Sequence, residues 1–175
     1  MSSKTVSESH GPNTRLAHAG NDPHSFHGFV NPPVVHASTV LFPNAAAMAS
    51  RNQKYTYGTH GTPTTDALAE AINELEGSAG TVAVPSGLAA VTLAFLSCLS
   101  AGDHALVVDS VYGPTRRFCD TFLKRFGIET TYYDPTIGAG ISELIRSNTK
   151  LVHTEAPGSN TFEMQDIPAI VKAAK

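Results

Sequence analysis

Residues 77–115 read GSAGTVAVPSGLAAVTLAFLSCLSAGDHALVVDSVYGPT, and the order of features in this stretch sets the fold class. Thr81-Val82-Ala83-Val84 is a short apolar run rich in β-branched side chains, stopped by Pro85. Ser86-Gly87 follows, and residues 88–99 are almost wholly apolar, long enough for a buried helix. Ala101-Gly102-Asp103 ends that helix, and residues 105–108 form a second short strand. The pattern predicts two parallel strands joined by a crossover helix, a right-handed βαβ unit.

The chemistry of this stretch sits at the turn. A helix opening at Ser86-Gly87-Leu88 leaves its first backbone N–H groups without intrahelical partners and carries a partial positive charge. Glycine lets a ligand approach the main chain, and serine can cap the helix or donate a hydroxyl. Such a helix start suits a phosphate, although Ser-Gly also serves as an ordinary cap. Both predicted strands end on one sheet edge, where open α/β folds hold their ligands. Tyr112, in Ser110-Val111-Tyr112-Gly113-Pro114, stands at the end of the second strand. An aromatic face beside a phosphate cup matches a flat, phosphorylated cofactor.

Composition narrows the classes. The chain has 175 residues, 41% hydrophobic and 15% charged, with a net charge of −3 and no charge run, so nucleic acid finds no basic patch to grip. No apolar run approaches the roughly 20 residues that span a bilayer, and MSSKTVSESHGPNTRLAH lacks the apolar core of a signal peptide. Cys98 and Cys119 both fall in helical, largely buried patterns, which predicts reduced thiols and a cytoplasmic location. His24-Ser-Phe-His27 is the one close histidine pair; it lies in an irregular loop with Asp22 alone near it and no cysteine, so no metal site is expected.

Outward from the central stretch, the Ser-rich residues 1–14 predict a disordered tail. Residues 15–65 have little periodicity but much punctuation, and an irregular arm of that length is expected to cover another subunit or serve function. Thr64-Thr65-Asp66 opens a helix whose Ala67, Leu68, Ala71, Ile72 and Leu75 form one apolar stripe, ended by Gly77. Residues 114–126 predict a helix with Phe118, Phe122 and Phe126 along one face. A strand over 128–133, a short helix over 141–146, a strand over 150–154 and a last helix capped by Asp166 complete the alternation. A mostly parallel sheet flanked by helices follows. Ahead of the first clear helix, Tyr55-Thr56-Tyr57-Gly58-Thr59-His60-Gly61-Thr62 puts two aromatics on a loop, a placement that favours ligand or partner contact over simple capping.

The segments Tyr57-Gly-Thr-His-Gly-Thr-Pro-Thr64, Glu74-Leu-Glu-Gly77, Pro85-Ser-Gly-Leu-Ala-Ala90, Val111-Tyr-Gly-Pro114 and Glu155-Ala-Pro-Gly-Ser159, in that order, resemble the Cys/Met-metabolism family of pyridoxal-phosphate enzymes. Gly102-Asp103-His104 adds to the likeness, which covers residues from about 14 to 175. It implies the type I, aspartate aminotransferase-like fold of PLP-dependent transferases. Residues 66–175 would then be the front part of the large cofactor domain, and residues 15–65 an arm reaching a neighbouring subunit of a homotetramer. The Pro-Gly-Ser variant and Asp134-Pro-x-Ile-Gly138 look most like the branch that cleaves the Cβ–S bond of cystathionine to homocysteine, pyruvate and ammonia. The resemblance implies that Ser86 and the amides of Gly87 and Leu88 hold the phosphate of pyridoxal 5′-phosphate, while Tyr112 stacks on its ring. It implies that Tyr57 reaches a neighbour's phosphate or substrate and that Ser159 lies near the cofactor's ring oxygen. Tyr112 and Tyr57 are the residues it places nearest the chemistry.

This chain departs from the family pattern in two ways. Thr59 stands where relatives carry a phosphate-binding arginine, and a hydroxyl cannot replace a bidentate charge. The family's Schiff-base lysine falls beyond Lys175, so the 175 residues are expected to be an incomplete, inactive portion. Lys150, in Ser147-Asn-Thr-Lys150, starts a strand instead of ending one and so sits at the wrong sheet edge to replace that lysine; Asp109 reads as a residue shaping the turn before Tyr112. The alternatives are a sister γ-synthase or γ-lyase activity on cystathionine or methionine, or a non-catalytic remnant that binds a phosphorylated ligand or a partner.

Overall fold

The computed structural model describes residues 10–175 and divides into two compact units, the first running to Ala83 and the second from Val84 to Lys175. The division falls between 83 and 84, where the sequence reading placed a boundary at 65/66, so the long helix after the arm groups with the arm.

The first unit holds α1 (Pro12–His18), a 3-10 turn at Pro23–Phe26, α2 (Ala45–Ser50), a second 3-10 turn at Gly58–His60 and α3 (Pro63–Glu76). Residues 1–9 of the expected tail lie outside the described residues, and its last three belong to α1. Local chemistry explains the helix starts. The Asn44 side chain accepts the Ala47 N–H at 2.8 Å to cap α2. Thr62 and Thr65 exchange bonds across the first turn of α3: the Thr65 hydroxyl accepts the Thr62 N–H at 2.8 Å and the Thr62 hydroxyl accepts the Thr65 N–H at 3.3 Å. Pro63 occupies the first helical position, where its missing N–H costs nothing, and Gly77 ends the helix at φ +62°. Arg15 of α1 pairs with Glu74 of α3 at 3.1 Å. The apolar stripe of α3 faces outward within its unit: Leu68 is 57% and Leu75 61% exposed.

The second unit is a three-stranded, all-parallel sheet in the order β2-β1-β3, with β1 at His104–Val108, β2 at Glu129–Tyr133 and β3 at Thr149–His153. β1 is flanked on both sides and buried along its whole length, the position that its unbroken apolar run Ala105-Leu106-Val107-Val108 demands. Each of its large aliphatic side chains contributes about 1.5–3 kcal/mol on burial. Phe95, Leu123, Tyr133, Ile141 and Ile170 complete the core around it. α4 (Gly87–Cys98) precedes β1. α5 (Gly113–Arg117) runs on as a π-helix over Phe118–Leu123 into β2, a 3-10 helix covers Gly138–Leu144, and α6 (Ile167–Ala174) follows β3. Asp166 caps α6 by accepting the Ala169 N–H at 3.0 Å.

Several expectations are corrected. Residues 81–84 are not a strand, and Val82 is 77% exposed: β-propensity needs a neighbouring strand to express itself, and no described strand lies beside this run. The parallel pairing with β1 comes instead from β2 and β3. α4 is a surface helix that fully buries Phe95 alone among its residues, because its apolar run is wider than the single face it packs inward. Cys98 is accordingly exposed, while Cys119 is buried and its thiol is pushed up to about 11 by that burial. The phenylalanine ladder is continuous, with centroids 5.2 Å apart between Phe118 and Phe122 and 4.7 Å between Phe122 and Phe126. Phe118 packs against the core beside Phe95, with centroids 6.0 Å apart, but Phe122 and Phe126 are exposed, and Thr115, Cys119 and Leu123 are the fully buried positions. The short helix expected over 141–146 is the 3-10 segment Gly138–Leu144.

Candidate functional site

In the second unit the loops after β1 and β3, which carry Tyr112 and Ser159, meet at one sheet edge. α4 has 12 residues and spans about 18 Å at 1.5 Å per residue. Gly102, at φ +90°, makes the turn between α4 and β1, and Phe95 of α4 packs against His153 at the end of β3, with ring centroids 5.0 Å apart. The loop from Asp109 to Tyr112 and the loop after β3 share the C-terminal edge, the ligand edge of open α/β sheets.

At the start of α4 the donors divide cleanly. The Ser86 hydroxyl accepts the Ala89 N–H at 3.1 Å and the Ser86 carbonyl accepts that of Ala90 at 3.0 Å. The amides of Gly87 and Leu88 are left over, as the first turn of any helix leaves them. A Cβ built on Gly87 would meet no heavy atom within 4 Å, so there is open space beside this residue. Ser86 is thus the cap and Gly87 and Leu88 supply the free donors. The residues fit a phosphate monoester: two amides without an intrahelical partner, a favourable helix end and room at Gly87.

Tyr112 is 48% exposed at the N-terminal end of α5, and its ring is free to cover a planar group. The loop that carries it is tied down on both sides. Arg116 reaches back to Asp109, donating to its carboxylate at 2.5 Å and to its carbonyl at 2.6 Å, while its guanidinium lies 3.8 Å from the centre of the Tyr132 ring. The turn-shaping role read for Asp109 is this clamp. From the β3 loop, the Ser159 N–H donates to the Ser110 carbonyl at 2.9 Å, and the Tyr112 N–H donates to the Glu155 carboxylate. Ser159 is brought to the same edge as Tyr112 in this way.

Lys150 sits at the other end of the sheet. β3 starts at Thr149, which pairs with His104 at the start of β1, so Lys150 lies far from the edge where Glu155 leaves. That starting edge has its own polar group. His104 is fully buried, with Nδ1 2.8 Å from the Thr149 hydroxyl and Nε2 2.9 Å from the Thr131 hydroxyl, and burial holds its imidazole below the ordinary histidine range. Sequence reading passed over His104 as part of a loop motif. A histidine in an apolar run shows no sign of the two hydroxyls that satisfy it from other strands.

Tyr57 and Thr59 belong to the first unit. Tyr57 is 41% exposed, its ring edge-on to His60 with centroids 5.9 Å apart, and Thr59 is exposed. The loop beneath is fixed: Gly58 donates to the Ser38 carbonyl at 2.7 Å, and a Cβ there would lie 1.7 Å from the Ala37 oxygen. Of the two tyrosines read as ligand-facing, Tyr55 is structural. Its hydroxyl donates to Asp66 of α3 at 2.8 Å, and Lys54 pairs with the same carboxylate at 2.7 Å. Among the described residues, no group of three or more His, Cys, Asp or Glu side chains could hold a metal ion, and no helix is long and apolar enough to cross a membrane.

A sequence-family model described as Cys/Met metabolism PLP-dependent enzyme matches residues 13–175. A putative cystathionine beta-lyase of Rhizobium johnstonii is 77% identical over 94% of this chain and 41% of its own length. An L-alanine/L-glutamate racemase of Wolbachia pipientis is 43% identical over 91% of this chain and 43% of its own. A solved cystathionine gamma-lyase of Lactobacillus plantarum superposes with a TM-score of 0.84 at 33% identity, over 94% of this chain and 42% of that one. The chain therefore spans about two-fifths of the length of these proteins.

Proposed function

Because the chain belongs to the Cys/Met metabolism PLP-dependent enzymes, we propose that it is the cofactor-binding front portion of a carbon–sulfur lyase acting on cystathionine. Pyridoxal phosphate, the family's cofactor, supplies when bound an electron sink for negative charge developing at the substrate's Cα. The work of this chain is to hold and orient it. The Gly87 and Leu88 amides bind the phosphate at the start of α4, and Tyr112 covers one face of the ring. Ser159 offers a hydroxyl from the β3 loop. Tyr57 and Thr59 act on the site of a neighbouring copy in a cytoplasmic homo-oligomer, a tetramer.

The observation that supports this reading is the pair of unclaimed amides at the start of α4, with open space at Gly87. Within the family, the 77% identity to a protein named for β-lyase chemistry favours that reaction over the γ-lyase and racemase reactions of more distant relatives. The experiment is product analysis of the whole protein supplied with pyridoxal phosphate and cystathionine. Pyruvate with homocysteine supports the reading; 2-oxobutyrate with cysteine supports the γ-lyase reading. Binding of the cofactor with no turnover of cystathionine or of free amino acids supports the non-catalytic remnant.

A further inference from the structure

Tyr112 is aimed by a residue 43 positions away in sequence. Its backbone N–H donates to both oxygens of Glu155, at 3.1 and 3.3 Å. The main chain of Glu155 is anchored from behind. The Glu155 carbonyl accepts from the Gln165 side-chain amide at 2.7 Å, and the Gln165 oxygen lies 2.9 Å from the Tyr133 hydroxyl. On its far side stands His153, whose Nε2 is 4.0 Å from the carboxylate, buried and without a hydrogen-bond partner, its ring centroid 5.0 Å from that of Phe95 in α4.

Docking of the two loops does not need this carboxylate. The Ser159–Ser110 main-chain bond joins them, and Gly158 packs so closely that an added Cβ would fall 2.8 Å from the Ser110 side chain. What Glu155 adds is control of the peptide plane entering Tyr112, and with it the direction of the ring. A charged acceptor fixes such a plane more firmly than a neutral one.

We propose that Glu155 is a positioning residue that sets the angle of the Tyr112 ring through its backbone amide, with His153 and Phe95 blocking the carboxylate's retreat. The inference rests on the reading that Tyr112 covers the cofactor ring. Glu155 touches neither cofactor nor substrate; it acts through Tyr112.

A double-mutant cycle in the whole protein, with pyridoxal phosphate as the probe and its dissociation constant as the readout, tests this. Glu155→Ala is expected to weaken binding about tenfold or more and to reduce the circular dichroism band of the bound cofactor. Glu155→Gln, which keeps an acceptor oxygen, restores most of the affinity. In a Tyr112→Ala background, Glu155→Ala costs less than about twofold, because its effect has lost its target. An equal loss in both backgrounds, or none in the unaltered background, overturns the proposal. If Tyr112→Ala leaves binding unchanged, the assignment of Tyr112 itself falls; if Tyr112→Ala weakens binding and Glu155→Ala does not, the role of Glu155 alone falls. Should Glu155→Ala not fold, amide hydrogen exchange in the unaltered protein decides. A Tyr112 amide protected from exchange supports the proposal, and exchange at the rate of an open amide overturns it.

Discussion

Gly87→Ala separates a ligand-facing glycine from a structural one. The residue lies in the first turn of α4 with a backbone angle outside the left-handed region, and a Cβ there meets nothing within 4 Å. Folding therefore has no steric objection, and the loss of unfolded-chain freedom stabilises the protein by about 0.5–1 kcal/mol. Binding moves the other way. The new methyl occupies the space through which a phosphate reaches the two free amides, and losing one hydrogen bond to a charged oxygen costs about 1.5–3 kcal/mol, or roughly 10- to 150-fold in affinity. The assay is a thermal melt paired with a pyridoxal phosphate titration of the whole protein. A melting midpoint that holds or rises, together with weaker binding, is expected. Unchanged affinity would refute the reasoning, because the open space would then not be the phosphate's, and a fall in stability of more than about 1 kcal/mol would show a packed position.

Other positions give contrasting outcomes. Ser86→Ala removes the cap on Ala89 and should cost about 1 kcal/mol in urea unfolding while changing cofactor affinity less than Gly87→Ala does; the reverse ranking would make Ser86 the principal ligand. Tyr55→Phe should lower stability by about 1 kcal/mol through its lost bond to Asp66 and spare activity, whereas Tyr57→Phe should spare stability and lower kcat/KM; identical profiles would contradict the split. Burial holds the imidazoles of His104 and His153 below their ordinary value of 6.5, so the unfolded chain takes up protons first. Their contribution is complete above about pH 6.5 and is lost as pH falls from there, so urea midpoints should drop between pH 8 and 5.5, less steeply in His104→Gln; equal slopes would remove His104 from the account.

What the sequence revealed was what local chemistry decides. Gly77 marks the end of α3 by left-handed geometry, while its start lies at Pro63 behind the Thr62 cap, just ahead of the expected Thr64-Thr65-Asp66, and Ala105-Leu106-Val107-Val108 reads as a strand. What stayed hidden depends on partners remote in the chain. Thr81-Val82-Ala83-Val84 has the composition of a strand, but a strand exists only beside another. The phenylalanine ladder from 118 to 126 looks like a core face, yet only Phe118 packs inward, and Thr115, Cys119 and Leu123 are the positions buried fully. The candidate site divides in the same way. Ser86, Gly87, Leu88 and Tyr112 stand out as candidates in the sequence because a helix start and a strand end carry their chemistry locally. Glu155 and His153 were not, since their relation to Tyr112 arises from β1 and β3 lying side by side.

The central claim is an anion site at the start of α4 with Tyr112 as its aromatic cover. A crystal structure of the whole protein grown with pyridoxal phosphate tests it most directly. The account predicts phosphate oxygens at about 3 Å from the Gly87 and Leu88 amides and the Tyr112 ring lying flat against the pyridine ring. A phosphate seated anywhere else, or a Tyr112 ring turned away from the bound cofactor, would contradict it.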